Sequence, residues 1–416
     1  MDAPTADATA RRTAGGTRLT KWRALGLVSA AELLAMSLWF SATAVAPEIA
    51  AAWGLTPGQT GLLTSAVQVG FVAGALLSAA LTLSDTVPPR YLFAASTAAG
   101  AAATALLAAA VDTLWPAVAL RFLTGVALAG AYPPGMKIAA GWFDDARGLA
   151  IGTVVGALTV GSALPHLLRA VGGVGRPRVV LFGAAGLALV GAGLVLLVRP
   201  GPHQAPAAPF DPAAVRRVLS DRGTSLANLG YFGHMWELYA VWTWMPAYLL
   251  ATAAVGTDGL ASLLTFLTIA VGGAGAVAAG VSADRLGRTT VTSAAMVVSG
   301  SASLIAGVVL DAPLFVLVPF LLVWGVTIVA DSAQFSAAVT ELADPAYVGT
   351  ALTFQTAVGF LLTTVSIQLV PVLQGSFGLG WGGAFATLAV GPAVGTAAMR
   401  RLRASPDAAK LAGGRG

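Results

Sequence analysis

Read for apolar and polar positions, the chain is a series of long apolar stretches separated by short polar breaks. Runs of about 20 apolar residues, the length that crosses a bilayer as a helix, fall at 24–46, 59–83, 91–111, 115–138, 148–168, 178–198, 225–250, 260–282, 289–310, 313–338, 348–373 and 380–399. The pattern predicts an all-α polytopic membrane protein with twelve transmembrane helices. The breaks carry turn or charge signals such as "SDTVPPR", "FDDARG", "ADRLGR" and "ELADPAY". The longest polar connection, 199–223, is rich in proline, which predicts a stiff linker with a short surface helix over 212–220. It divides the chain into two six-helix halves, 24–198 and 224–400, flanked by a disordered tail over 1–23 and a second tail over 401–416.

Composition agrees. Of the 416 residues 57% are hydrophobic and 10% charged, with a mean hydropathy of +0.81, values outside the range of soluble domains. All but four of the 23 basic residues fall in the tails, the linker or the loops on one side. The positive-inside rule then places both termini in the cytoplasm of a protein in the plasma (inner) membrane. The formal charge of +5 is therefore topological and gives no support to nucleic-acid binding. The first apolar run lacks a small-residue cleavage site and reads as a retained helix rather than a signal peptide. Cysteine is absent, which excludes disulfides, thiolate metal sites and thiol catalysis. No nucleophile–base pair, metal cluster or nucleotide-binding loop stands out, so no enzyme activity and no cofactor are expected.

The halves repeat. "ELLAMSLW" (32–39) matches "ELYAVWTW" (237–244) at an offset of 205, with Glu32 on Glu237 and Trp39 on Trp244. Gly125 matches Gly325 and Gly148 matches Gly349 at offsets near 200. Between spans 8 and 9 lies "GVSADRLGRTT", with Gly280, Asp284, Arg285, Gly287 and Arg288. This loop resembles the G-x-x-x-D-R-x-G-R signature of the major facilitator superfamily, and the resemblance extends over about 24–400. The corresponding loop after span 2, "LSDTVPPRY", keeps Asp85 and Arg90 but has Thr86 and prolines where the signature has Arg and Gly. The resemblance implies two halves that rock about a central site. It also implies a cytoplasmic gate in which Asp284 faces the start of helix 5 near Gly148, and Asp85 the start of helix 11 near Val348. A helix N-terminus favours such a carboxylate.

Ionisable groups inside the spans concentrate on four helices: Glu32 on the first, Arg121 on the fourth, His234 and Glu237 on the seventh, Asp331 on the tenth. In the superfamily these four helices line the central cavity. Helical spacing groups Glu32 with Met36, Trp39 and Thr43; His234 with Glu237, Val241, Trp244 and Tyr248; Asp331 with Trp324, Thr327 and Gln334; and Arg121 with Gly125, Leu128 and Tyr132. Faces that pair charge with aromatics suit a small-molecule pocket. A carboxylate in a poorly hydrated cavity prefers its neutral form, so it can load and release protons as hydration alternates. Glu237 leads as coupling carboxylate, then Glu32 and Asp331, with His234, Arg121, Gln334, Trp39 and Trp244 completing the candidate site. Structural ion pairing, for example Glu32 with Arg121, is the competing reading. Trp236 and Trp242 are expected to face lipid, and His166 and Lys137 to be structural or anchoring. The glycines of helix 5 (148, 152, 156 and 161) suit close packing of sliding helices.

The expected function is secondary transport of a small solute by alternating access, coupled to protons, by a monomer in a lipid bilayer. A small-anion porter of the nitrate or cyanate kind, and a non-transporting sensor or scaffold on the same fold, are the alternatives.

Overall fold

The computed structural model describes residues 5–81, 83–143, 147–203, 211 and 215–416, with the side chains of 5–19, 84–85 and 147–148 outside the description. Six helices form the first half: α1 (Thr5–Met36, continued by Ser41–Ala44 and Ala46–Trp53), α2 (Pro57–Ala80), α3 (Pro89–Ala110), α4 (Leu114–Ala129, continued by Tyr132–Ala140), α5 (Arg147–Leu168) and α6 (Pro177–Leu196). Six form the second: α7 (Arg222–Leu250), α8 (Asp258–Leu286), α9 (Arg288–Ile305), α10 (Leu314–Ala330, continued by Ser332–Leu342), α11 (Val348–Pro371) and α12 (Gly380–Leu388, continued by Val390–Arg403). No strand occurs among the described residues.

Helix starts follow their caps. Thr56 and Gln59 form a reciprocal capping box at α2, and Asp221 accepts from Thr224 N at 2.7 Å to begin α7. α1 starts at Thr5, inside the segment read as a disordered tail, where Ala and Arg favour a helix. Of the linker helix expected over 212–220, Val215–Ser220 is helical and 212–214 lies outside the described residues.

Nine helices among the described residues are long and apolar enough to cross a membrane by length and composition alone. The other three, α1, α7 and α9, are packed in the same bundle. They fall short because they carry its polar core: Glu32, His234 with Glu237, and the serines and threonines of an 18-residue α9. Large apolar side chains such as Trp115 (71%), Phe315 (79%) and Phe377 (70%) are exposed around the bundle, as a lipid-facing belt requires.

The repeat has a physical cause. Gly125 of α4 lies against the backbone of Val67 in α2, and Gly325 of α10 against that of Thr268 in α8. A side chain at either position would separate the pair, so both halves keep glycine. Both fourth helices break at the same place, α4 at Gly130–Ala131 and α10 at Asp331. Both fifth helices end in a wide π-helical turn, Arg169–Gly173 after α5 and Val372–Ser376 after α11.

The halves meet along α5 against α8 and α2 against α11. At the first crossing Gly156 and Gly273 face each other; a methyl group added to either would meet the other's carbonyl oxygen at 2.9 or 2.8 Å. Such a bare seam lets backbones slide with little side-chain interlock. One face of the bundle, the termini face, carries the linker, the α8–α9 turn and the C-terminal segment.

Candidate functional site

Between the halves lies a cavity of about 100 Å³. Its deep wall is aromatic. Trp39, Tyr239 and Phe360 form a triangle with ring centroids 5.2–5.9 Å apart, backed by Phe71 and Trp242. Toward the termini face the lining becomes partly exposed at Tyr132, Met136, Ser332, Ser336 and Thr356. The aromatic residues at the deep end are buried. The cavity therefore opens toward the termini face and is stopped by rings at mid-depth.

Of the residues the sequence proposed for this cavity, Trp39 lines it, as does Tyr132 from the face shared with Arg121. The charged groups sit one layer behind, each inside its own half. Glu32 is 0% exposed, its Oε2 packed over Gly135 and near Phe93, and neither carboxyl oxygen has a hydrogen-bond partner. Glu237 accepts from Ser299 Oγ at 2.8 Å and Ser303 Oγ at 2.5 Å, both on α9. His234 Nδ1 lies 2.9 Å from Asp331 Oδ1, joining α7 to the break in α10, while His234 Nε2 is unpartnered. The repeat-related Glu32 and Glu237 thus point the same way, toward the third and fourth helices of their halves. Helical spacing had aligned them with the cavity, but a face shared along one helix does not say which neighbour it meets.

Arg121 also lies off the cavity. It is 0% exposed and donates to the carbonyl oxygens of Leu38, Trp39 and Leu63 and to Ser41 Oγ. Leu38, Trp39 and Ser41 lie at the interruption of α1 at 37–40, where the backbone turns through tighter bonds to the third residue back, and Leu63 lies on α2 beside it. Arg121 pairs with no carboxylate among the described residues, so the Glu32–Arg121 pair does not form. Trp244 donates Nε1–H to Ile367 O at 2.8 Å and packs against Trp381, on the far side of the aromatic stop. Gln334 accepts from Arg288 at 2.8 Å and belongs to the termini-face cluster. Trp242, expected in lipid, is 2% exposed and edge-on to Phe40. His166 is buried with both ring nitrogens unpartnered.

The face opposite the termini is tied shut by a residue that sequence reasoning passed over. Arg169, 1% exposed, follows α5. Its Nε and Nη2 reach Glu48 Oε1 at 3.0 and 2.8 Å. Nη2 also meets Asp258 Oδ1 at 3.1 Å, and Nη1 donates to Ser262 Oγ at 2.6 Å and Asp258 O at 3.3 Å. Arg169 and Glu48 belong to the first half, Asp258 and Ser262 to the second, so the guanidinium crosses between the halves through three hydrogen bonds, to Ser262 Oγ, Asp258 O and Asp258 Oδ1. Nearby, with its amide in the orientation that satisfies both ends, Gln368 of α11 donates to Gly58 O at 3.1 Å and accepts from Leu62 N at 3.2 Å. A signal was present: an arginine ending one outer helix, and acidic residues near the ends of two others.

At the termini face the signature turn is folded, and among the described residues neither the Asp284 carboxylate nor Arg288 bonds to the first half. Gly287 ends α8 at φ +91°, a conformation that favours glycine, beneath the backbone of Arg415 and Gly416. Arg288 holds Glu341 through two bonds of 2.8 and 2.5 Å. Among the described residues the Asp284 carboxylate, 58% exposed, meets only Arg288, at 3.9 Å. Arg415 donates to Asp284 O at 2.7 Å, and Arg285 is exposed. Gly280 is buried within α8. Arg90 bonds and stacks on its neighbour Tyr91, and the Asp85 side chain lies outside the description.

Comparison with known proteins agrees with this architecture. The structure resembles a mutant of the nucleoside transporter NupG (TM-score 0.71, 15% identity, 91% of this chain and 99% of that one). It resembles equally a bacterial homologue of the human lysosomal transporter Spinster, solved inward-facing and unoccupied (TM-score 0.70, 15% identity, 93% and 99%). At such identities the likeness is one of fold. No curated protein matches in sequence. The family model of the Major Facilitator Superfamily matches residues 27–367. The chain belongs to the Major Facilitator Superfamily.

Proposed function

We propose that this protein is a proton-coupled secondary transporter of a small organic solute, seen here in a state open to the termini face. The observation that carries the coupling is the cluster of Glu237, His234 and Asp331, each at most 2% exposed, directly behind the cavity wall. Two carboxyls and one imidazole are electrically neutral only when they hold two exchangeable protons. Loss of one leaves a net charge at membrane depth, costing about 2.5–3.5 kcal/mol even on mild scales. A proton gained or lost there changes the charge at membrane depth, which ties proton movement to the opening and hydration of the cavity. Glu32 is the second proton site, since an ionised carboxylate without donors would lie unsolvated.

With the termini in the cytoplasm, as the basic loops indicate, the cavity faces inward and the Arg169 bridge is the closed outer gate. Asp284 then engages the start of α5 only when the inner face closes. The anion-porter reading loses support, because the guanidinium of Arg121 is committed to backbone carbonyls and no cation lines the cavity among the described residues.

Solute flux into proteoliposomes should rise when a pH gradient is imposed and fall when a protonophore collapses it. Flux indifferent to both would overturn the coupling. Asp284→Asn is expected to slow turnover severalfold with little change in solute affinity. A lost affinity at normal turnover would place Asp284 in the binding site instead.

A further inference from the structure

Given the reading of Glu32 as a proton site, a path must lead from its carboxyl to solvent. The carboxyl itself is 0% exposed, unpartnered and packed against Gly135 and Phe93, which carry no group that passes a proton. Gly135 belongs to the continuation of α4, Tyr132–Ala140. In the same segment Tyr132 and Met136 line the cavity. A single helical turn therefore has the Glu32 carboxyl on one side and the cavity on the other. A methyl group added at Gly135 would meet Glu32 Oε2 at 2.5 Å, and the Tyr132 phenol, one turn back, feels the charge of the same carboxyl. Tyr132 is partly exposed, and among the described residues its hydroxyl neither bonds to the protein nor is sealed from the cavity.

The break in α4 sets this position, because Tyr132 is the first residue of the helix that resumes after Gly130–Ala131. The second half repeats the arrangement. Ser332, at the offset that relates Gly125 to Gly325, opens the continuation of α10 directly after Asp331 and also lines the cavity. Each fourth-helix break thus presents a hydroxyl to the cavity beside a buried acid. A hydroxyl both donates and accepts, so it can hand a proton on without becoming charged.

We propose that Tyr132 is the proton portal of the first half, relaying protons between the Glu32 carboxyl and water in the open cavity. A proton leaves the carboxyl for the phenol oxygen as the phenol's own proton passes to water, and the reverse movement reloads Glu32. The phenol is neutral before and after. The other titratable groups near it are Tyr231 and Tyr239 of α7 and Lys137 further along its own segment. α3 and α5, packed on the same segment, carry titratable groups only near their ends: Arg90, Tyr91, Arg147 and His166.

The test is hydrogen–deuterium exchange of the buried carboxyls, followed by infrared spectroscopy on the full-length protein in lipid vesicles moved from H2O to D2O. No solute is required. Each protonated carboxyl band is assigned by its loss in Glu32→Gln or Glu237→Gln. In Tyr132→Phe, which keeps the ring, deuteration at Glu32 should slow about a hundredfold, the scale of a lost proton-transfer group. Glu237 and the backbone amides should exchange at wild-type rates. Unchanged exchange at Glu32, equal slowing of both carboxyls, slowing matched by the amides, or a Glu32 with no protonated band would overturn the portal. Flux indifferent to a pH gradient, with exchange at Glu32 still dependent on Tyr132, would sink the coupling and spare the portal. Proton-coupled flux with unchanged exchange in Tyr132→Phe would do the reverse.

Discussion

Glu237→Gln is expected to bring gradient-driven flux down by roughly two orders of magnitude, the scale of a lost acid–base group, while the protein folds and still exchanges solute across the membrane. Glutamine is close in shape and volume, and its amide can both accept from and donate to the serine hydroxyls that now hold the carboxylate, Ser299 and Ser303. What it cannot do is bind and release a proton. Net movement tied to protons then fails, whereas exchange, which requires only the loaded carrier to rock, persists. Flux of normal size and pH dependence in this variant would remove Glu237 from the coupling path and leave Glu32 or the His234–Asp331 pair to carry it.

Arg121→Met should have the largest effect on stability and should act through folding rather than affinity. The substitution keeps a long side chain but removes every donor from a site of 0% exposure. The carbonyl oxygens of Leu38, Trp39 and Leu63 then lose the guanidinium that bonds them. Leu38 O keeps Ser41 N and Oγ and Leu63 O lies inside α2, so Trp39 O is the acceptor left stranded. An unsatisfied buried acceptor costs about 1–3 kcal/mol, a large share of the about 5–15 kcal/mol that holds a typical domain. Thermal unfolding in detergent should show a large fall in Tm or no monodisperse protein. A normally stable variant with weakened solute binding would instead return Arg121 to the cavity.

Much of the fold was legible in the sequence, and the reasons are physical. Span lengths follow from bilayer thickness, and the Gly125 and Gly325 match marks the same close helix crossing in each half. The unusual polarity of α1 and α7 was also legible, because a glutamate at membrane depth demands an explanation. Its direction was not. Periodicity groups Glu237 with Trp244 along one helix, yet the helix twists between neighbours, so Glu237 meets α9 and Trp244 meets α11. Arg121 was ambiguous because its role depends on the break in α1, which no proline or glycine between Ser37 and Phe40 announces. Arg169 was counted as one of a few basic residues on the outer side. Only the fold reveals that Glu48 and Asp258 arrive at its two flanks, from positions 121 and 89 residues away.

The central claim is that the two halves rock about the cavity and that the Arg169 bridge holds one face closed. Because the chain contains no cysteine, spin labels can be placed without background. One pair, Ala51→Cys with Ala253→Cys, spans the halves on the bridge side; a second, Tyr91→Cys with Ala404→Cys, spans them on the termini face, and all four positions are exposed. Distances in both pairs should be measured in lipid with and without Arg169→Met. The variant loses the three hydrogen bonds that cross the halves, each worth about 0.5–1.5 kcal/mol, and every ~1.4 kcal/mol shifts the equilibrium about tenfold. The bridge-side distance should lengthen in the variant while the termini-face distance shortens. Two unchanged distances, or two that lengthen together, would contradict the account.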